Sequence, residues 1–309
     1  MKFRNDALKG ILLAVLATIV WSGNFVVARG VINEISPVAL AFLRWATACI
    51  ALLPLCWNSI PNALKWVRQY FWYFLLTAFT GVTLFNTLVY VAGHYSPAIN
   101  LALIGTTSSP IFSIVLAYVF LKEKMSRPKM IGLFICIVGI LMLISKGSIT
   151  NLVNFHFSTG DLWVIGGALS FAIYNILVRK KPSGIDGTTF LFICFTLGTI
   201  LLLPAYFIES QYVAPTKWSY SLLLILLYLG VGASVIAFLC WNIAISKLGA
   251  GKTALFGNLI PVFSVMEAML FLGEQLSYFH VIGGVMVIGG LIVANLHTFR
   301  PTAAINHGN

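Results

Sequence analysis

The segments PIFSIVLAYVFLKE (residues 110–123) and PVFSVMEAMLFLGE (residues 261–274) align when the chain is shifted by 151 positions, the distance from Pro110 to Pro261. The same register holds without a gap over most of both halves. Identical pairs include Phe112 with Phe263, Ser113 with Ser264, Glu123 with Glu274, Gly132 with Gly283, Gly139 with Gly290 and Asn24 with Asn175. A register kept through proline, asparagine, glutamate and glycine indicates an internal repeat, since shared apolar composition alone does not produce it.

The composition places this repeat in a membrane. Apolar residues make up 60% of the 309 positions and charged residues 9%, whereas a soluble domain carries about 25% charged residues. Uncharged runs such as 10–28 and 218–246 approach or exceed the roughly 20 helical residues that cross a hydrocarbon core. Strand-like alternation is missing from the sequence, which argues against a barrel. The pattern predicts ten helices at about 8–28, 36–57, 70–92, 97–120, 128–146, 160–178, 187–208, 218–242, 250–273 and 277–297.

Five predicted spans in each half mean that the second half enters the bilayer from the opposite side. The predicted fold is therefore an all-α integral membrane protein with ten transmembrane helices arranged as two inverted five-helix repeats. We place the first repeat at 1–146, a linker at 147–159, the second repeat at 160–297 and a cytoplasmic tail at 298–309. In carriers built this way, the substrate site lies near the midplane between the halves and alternates in access.

The distribution of basic residues predicts the orientation. With a cytoplasmic N-terminus, fifteen lysine and arginine residues fall on the inner side and three (Arg29, Lys146 and Lys217) on the outer side. This positive-inside bias predicts a multi-pass protein of the cell inner (cytoplasmic) membrane with both termini in the cytoplasm. Anionic membrane lipids are sufficient partners for the net charge of +11, so no nucleic acid is required.

The stretches WSGNFVVARGV (21–31) and SPVALAFLRW (36–45), together with the two matched segments above, resemble the EamA-type branch of the drug/metabolite transporter superfamily. The resemblance covers nearly the whole chain. It implies a secondary carrier, often an exporter of amino acids or other small metabolites, whose substrate differs widely between relatives. It does not account for Glu267, at a position where the family pattern has a small or apolar residue.

Two charges remain at membrane depth once the other charged residues are assigned to loops and rims. Arg44 lies about 12 Å and Glu267 about 9 Å from the outer side, at 1.5 Å per helical residue. A charge at this depth costs several kcal/mol unless it meets water or a polar partner. We therefore expect Glu267 to contact an amine-bearing substrate or a proton, and Arg44 to pair with Glu267 or to receive a carboxylate. The alternative is structural: Arg44 holds backbone carbonyls, and Glu267 is protonated or paired with Arg44.

Further candidate site residues are polar or aromatic side chains of the spans. Ser264 and Phe263 share the helical face of Glu267, and Ser109 and Ser113 lie on the matching face of the fourth span. The remaining candidates are Asn24, Asn175, Trp21, Tyr174, Asn86, Tyr90 and Trp241. Rings beside a carboxylate would suit a quaternary ammonium group. Small hydroxyl residues also permit close helix packing, and aromatic residues near helix ends also form interfacial belts.

Other sequence features exclude several classes of protein. The stretch LGAGKTAL (248–255) lacks the first glycine of a phosphate-binding loop, because that position is Ser246. No enzyme motif or metal-ligand cluster stands out, and the five cysteines are interpreted as apolar fillers. Glycines seven residues apart in the fifth and tenth spans favour close packing within the chain, with a homodimer seam as the weaker alternative. The sequence is compatible with a monomer and with a homodimer.

We therefore predict a secondary-active carrier, with neither an enzymatic activity nor a cofactor or metal. It would move a small polar metabolite, an amino acid or a related amine-bearing compound, out of the cell by alternating access, with protons as a candidate coupling ion. Uptake of an amine or quaternary ammonium compound, or passive facilitation, is the alternative.

The predicted sidedness can be tested with reporter fusions. Green fluorescent protein fused after Asn309 should fluoresce, because it folds to its fluorescent form in the cytoplasm. Alkaline phosphatase inserted between the seventh and eighth spans should be active, because it matures outside the cytoplasm. The reverse pattern would contradict the orientation.

Overall fold

The structure, a computed structural model, describes residues 2–31, 34–95, 98–145, 147–154, 158–272 and 278–299. Every regular element in these ranges is helical. Within them, ten long helices, called spans 1 to 10 in chain order, form two inverted five-helix repeats. Their bounds are Lys2–Gly30, Pro37–Cys56, Phe71–Tyr95, Ala98–Leu121, Arg127–Ile144, Thr159–Arg179, Gly187–Glu209, Tyr220–Leu248, 250–272 and Tyr278–Phe299.

The all-α fold predicted from the sequence is confirmed, with differences at the helix ends. Span 1 begins at Lys2 instead of near residue 8, and span 8 continues to Leu248 instead of ending near 242. Within the described residues, seven spans (1, 2, 3, 6, 7, 8 and 10) are long and apolar enough by themselves to cross a membrane. The words inner and outer refer below to the sides that the charge distribution predicts.

Two short helices lie where loops were expected. Ile60–Gln69 follows span 2 on the inner side, with Lys65 exposed and Ala63 buried. Its mixture of basic and aromatic residues is typical of a helix that lies in the headgroup region, and it is too polar to be recognised as a span. Ile149–Val153 occupies part of the linker between the repeats.

The helices pack in pairs that repeat between the two halves. Span 2 packs against span 7 and span 5 against span 10, so each of these pairs joins a helix to its own repeat partner. Span 1 packs against spans 8 and 9, and span 6 packs correspondingly against spans 3 and 4. The first helix of each half therefore lies within the other half, and the two repeats share one core.

Spans 5 and 10 cross at glycine. A Cβ atom on Gly132 would overlap the carbonyl oxygen of Gly290, and one on Gly139 would lie 2.8 Å from the carbonyl oxygen of Gly283. Backbones can approach this closely only when no side chain intervenes. These glycine faces are thus occupied within the chain, which leaves them unavailable for a homodimer seam.

Spans 3 and 8 carry irregular turns at equivalent places. Phe79–Leu84 and Tyr228–Ile236 are π-helical, and the 151-residue shift places the first segment within the second. Such turns release backbone carbonyls from their usual partners and are frequent at functional sites. Span 9 changes to a 3-10 helix over Phe256–Leu259, just before Pro261. The bundle therefore has its irregular backbone near the midplane, where carriers of this architecture bind substrates.

The crossing of spans 5 and 10 gives a stability test. Gly132→Ala forces backbones apart, and overpacking of this kind costs about 1–3 kcal/mol, so the purified protein should unfold at a lower temperature. Gly289→Ala is the matched control, because a Cβ there meets nothing within 4 Å and alanine favours a helix by up to about 1 kcal/mol. Equal melting temperatures for the two variants would contradict the proposed crossing.

Candidate functional site

A narrow cavity of about 70 Å³ lies in the middle of the bundle, enclosed by residues from spans 1, 2, 3, 4, 6, 8 and 9. Five residues predicted from the sequence line it: Trp21, Arg44, Asn86, Ser109 and Trp241. Its walls also include Phe85 and Phe171, which were not among the predicted residues. Helices of both repeats thus meet at one small space.

Arg44 forms the polar wall of this cavity and is 1% exposed. Its Nε donates to the Ser234 hydroxyl at 2.8 Å, and its Nη1 donates to Asn86 Oδ1 at 2.9 Å and to the Tyr90 hydroxyl at 2.8 Å. Its Nη2 donates to the carbonyl oxygen of Ala233 at 3.1 Å. The acceptors in these four contacts are neutral groups from spans 3 and 8.

The acceptors that span 8 offers to Arg44 lie in its π-helical turn. The Ala233 carbonyl accepts from Arg44 and also from Trp21 Nε1 at 2.8 Å, while the Ser234 hydroxyl donates back to the Leu229 carbonyl at 2.8 Å. In a regular helix that carbonyl would be taken by an amide four residues later. The irregular turn therefore binds span 8 to spans 1 and 2 at the cavity.

The apolar wall is a cluster of rings. Trp21 lies 5.7 Å from Phe171 and 5.0 Å from Trp241, and Phe85 stacks on Phe171 at 4.5 Å, measured between ring centroids. Offset and edge-on contacts at these distances are favourable beyond their area of burial. The Trp21 hydrogen bond to Ala233 fixes one of these rings against the polar wall.

A second polar group lies beside the rings. Asn175, which is fully buried, accepts from Trp241 Nε1 at 2.9 Å and donates to the Ser113 hydroxyl at 3.1 Å. This chain of hydrogen bonds joins spans 4, 6 and 8 and holds the Trp241 ring in place. The structure thus places Asn175 and Ser113 behind the cavity wall as supports.

The inner end of the bundle is closed by polar contacts between the halves. Tyr174 and Asn242 share hydrogen bonds of 2.8 and 3.0 Å, and Lys247 pairs with Asp6. Glu123 accepts from the amides at 250 and 251, at 3.0 and 3.3 Å, and so ties the start of span 9 to the loop between spans 4 and 5. Tyr174 therefore belongs to this closure.

On the outer side, a wider cleft of about 440 Å³ runs between the ends of spans 2, 3 and 7, lined in part by Ser36, His94 and Glu209.

Glu267 lies apart from the cavity, on the face of span 9 that contacts span 1. Its carboxyl group is 2.5 Å from the Ser22 hydroxyl, and the nearby Ser264 hydroxyl donates to the Ser22 carbonyl at 3.2 Å. Phe263 packs against the main core. Among the described side chains, the two ion pairs found are Lys129 with Glu123 and Lys247 with Asp6, so the pairing of Glu267 with Arg44 stays a prediction.

One predicted site residue has no described side chain, and two contact residues were not predicted. The side chain of Asn24 lies outside the described part of the structure. Ser234 and Ser22, which contact the two deep charges, were missed because small hydroxyl residues are common in any span. Among the described residues, no group of three or more histidine, cysteine or acidic side chains is placed to hold a metal ion.

A ring-walled cavity beside the buried Arg44, set between inverted repeats, is an arrangement typical of membrane transporters. The model described as the EamA-like transporter family matches the chain twice, over residues 8–145 and 158–296. The chain belongs to this family.

Relatives agree with this assignment. "Uncharacterized transporter YyaM" of Bacillus subtilis (strain 168) is 28% identical over 274 residues, covering 88% of each chain. An "Uncharacterized transporter" of Archaeoglobus fulgidus is 27% identical over 284 residues, covering 91% of this chain and 95% of its own. A solved crystal structure with 17% identity superposes with a TM-score of 0.76 over 94% of this chain and 97% of its own, which supports the fold.

Replacement of Arg44 by lysine tests the polar wall. A lysine ammonium lacks the planar fork and leaves some of the four buried acceptors without a donor, at about 1–3 kcal/mol for each unsatisfied group. We expect a lower melting temperature than for Arg179→Lys, the control, whose guanidinium donates to the Ser246 carbonyl at the inner rim. A larger loss for the rim variant would contradict the role of Arg44.

Proposed function

We propose that this protein is a secondary-active carrier for small metabolites that bear a carboxylate, amino acids foremost, and that it exports them across the cytoplasmic membrane by alternating access. The observation that supports this most directly is the position of Arg44, a buried cation on the wall of a ring-lined cavity between the repeats.

The polar wall offers hydrogen-bond donors to an anion. Asn86 is 2% exposed and lines the cavity, and its Nδ2 has no hydrogen-bond partner within the described structure. A buried amide donor without a partner costs about 1–3 kcal/mol, which a ligand acceptor would recover. Arg44 supplies positive charge beside it. A carboxylate suits both groups, because its negative charge is attracted to the guanidinium and its oxygens accept hydrogen bonds from amide N–H groups.

The ring wall suits the remainder of the substrate. Trp21, Phe171 and Trp241 offer flat apolar faces opposite Arg44, so a hydrocarbon or aromatic side chain would pack there while its carboxylate meets the polar wall. At about 70 Å³ the cavity is smaller than the roughly 300–1,000 Å³ of ordinary ligand pockets, so we expect the surrounding spans to move apart when a substrate binds.

Uptake of an amine or quaternary ammonium compound is less well supported. A cation cage needs an acidic or neutral ring-lined pocket, and here the charge on the cavity wall is positive. Glu267, the carboxylate that the sequence suggests for such a cage, is not among the residues that line the cavity.

A passive facilitator is likewise less well supported. The inverted repeats favour gated access on alternate sides over a passive pore. A carrier runs in whichever direction its combined gradients drive it, so the direction does not follow from the geometry of the site. We propose export because of the resemblance to the family.

A thermal-shift measurement on the purified protein tests the substrate class. Phenylalanine, phenylalanine amide and choline are compared, because the amide differs from the acid only by the absence of a carboxylate. A ligand at about one hundred times its Kd stabilises the folded state by about 2.7 kcal/mol, so the acid should raise the melting temperature. The proposal fails if the amide or choline stabilises the protein and carboxylate-bearing amino acids do not.

Counterflow in proteoliposomes tests the carrier mechanism. Vesicles preloaded with unlabelled phenylalanine should take up labelled phenylalanine faster than empty vesicles, because exchange skips the slow return of the empty carrier. Equal rates that rise without saturation would favour a facilitator.

A further inference from the structure

Glu267 is an acid at membrane depth whose contacts differ from those of the cavity. It lies on the outer half of span 9, residues Ile260–Leu272, and faces Ser22 and Gly23 of span 1. A Cβ atom on Gly23 would lie 3.7 Å from Glu267 Oε2 and 2.5 Å from the Tyr228 hydroxyl. The glycine therefore leaves the space in which the carboxyl group and the phenol approach span 1 from two sides.

The hydrogen count at Ser22 bears on the protonation state of Glu267. The Ser22 hydroxyl oxygen lies 2.5 Å from the carbonyl oxygen of Ile19 and 2.5 Å from Glu267 Oε1. A hydroxyl has one hydrogen, and the Ile19 carbonyl has none to donate. If Glu267 carries a proton and donates it to Ser22, each of the two short contacts has its own hydrogen. If Glu267 is ionised, Ser22 must leave Ile19 to donate to the carboxylate.

Among the described residues, Tyr228 is an ionisable side chain that interacts with both Glu267 and Arg44. Arg44 is held by its own acceptors, and the Tyr228 hydroxyl donates to the Val20 carbonyl at 2.5 Å, with Tyr90 beyond it beside Arg44. The outer half of span 9 packs on spans 1, 4, 5 and 10. The ionisable side chains that the structure describes on these spans are Asp6, Lys9, Tyr118, Arg127, Lys129, Cys136, Tyr278 and His280. Tyr278 and His280 are in the first turn of span 10, at the same outer end as Glu267.

The repeat argues against a purely structural role. The residue equivalent to Glu267 in the first half is Leu116, and the residue equivalent to Ser22 in the second half is Ile173. An apolar pair thus occupies the position at which the acid and the hydroxyl meet, so the packing of these spans does not require polar groups. An acid that costs several kcal/mol in a membrane when ionised is present in one half alone, together with its hydroxyl partner.

We propose that Glu267 is a proton-binding site, and that the exchange of its proton with water on the outer side controls the contact between spans 9 and 1. In the protonated state the carboxyl group donates to Ser22 and the spans stay together. Loss of one proton to the outer water leaves a carboxylate, which needs hydration and separates the outer half of span 9 from span 1. The 3-10 segment Phe256–Leu259 is the break about which that half would move.

This site would couple export to an inward proton gradient, an inference that rests on the proposed function. One proton bound at Glu267 from the outside would be released inside for each substrate moved outward. The carboxylate-binding cavity at Arg44 and the proton site at Glu267 are separate, so each can be tested without the other.

The direct test is infrared difference spectroscopy of the reconstituted protein across a pH titration, with the proton as the ligand. The wild type should show the carbonyl stretch of a protonated carboxyl group that disappears as the pH rises. Glu267→Gln should lack that titrating band, and Glu267→Asp should restore one at a shifted midpoint. Glu34→Gln is the matched control, because Glu34 also has a hydroxyl partner, Ser219 at 3.0 Å, but lines the outer cleft. The control should keep the band.

A band of full amplitude in Glu267→Gln would overturn the proposal, as would its absence in the wild type. Coupling is then read from right-side-out vesicles that hold a pH-sensitive dye. Phenylalanine efflux should acidify the vesicle interior in the wild type and in Glu34→Gln, and should not do so in Glu267→Gln. If phenylalanine fails to bind while the infrared band titrates as described, the substrate proposal fails and the proton site stands.

Discussion

The structure depends on how a guanidinium is accommodated inside a membrane. Arg44 carries a charge that lipid cannot solvate, so its donors must all find acceptors within the bundle. Span 3 supplies Asn86 and Tyr90, and span 8 supplies Ser234 and the Ala233 carbonyl. The last two of these acceptors lie in the π-helical turn of span 8. One buried charge thereby fixes the relative positions of spans 2, 3 and 8, and the cavity forms beside it.

Departures from the internal symmetry mark the polar residues of interest. The 151-residue shift places Phe195 opposite Arg44, Ala237 opposite Asn86 and Leu116 opposite Glu267. Residues that serve packing, such as the glycines of spans 5 and 10, occur in both halves. A side chain that serves one chemical task is needed in one repeat only. Polar residues that occur in a single repeat therefore point to substrate or proton binding, and residues that occur in both repeats point to helix packing.

Much of the architecture could be predicted from the sequence, because long uncharged runs and a fixed repeat register constrain it strongly. Arg44 and Glu267 stood out for the same reason: a charge within such a run is rare. Their different surroundings could not be predicted, because Arg44 lines the cavity whereas Glu267 contacts Ser22 of span 1. Helical spacing predicts how deep a residue lies in the membrane and which face of its helix it is on. The π-helical turn at Tyr228–Ile236 rotates the later residues of span 8 relative to that prediction. No sequence pattern predicts such a turn. Phe85 and Phe171 were missed because phenylalanine is abundant throughout the chain, and only the fold shows which rings meet.

The exchange of first helices between the halves has a consequence for synthesis. Span 1 leaves the ribosome first, yet its packing partners, spans 8 and 9, are near the end of the chain. Chains are made at about 5–20 residues per second and fold from the N-terminus onward, so this helix must wait in the bilayer for many seconds before its neighbours arrive. The apolar surface that it shows to lipid meanwhile is harmless, but its Ser22 and Trp21 side chains are without their final partners. Maturation of the first half is therefore tied to completion of the second, and a ribosome that stalls in the linker would leave an unfinished bundle for the quality-control machinery of the membrane.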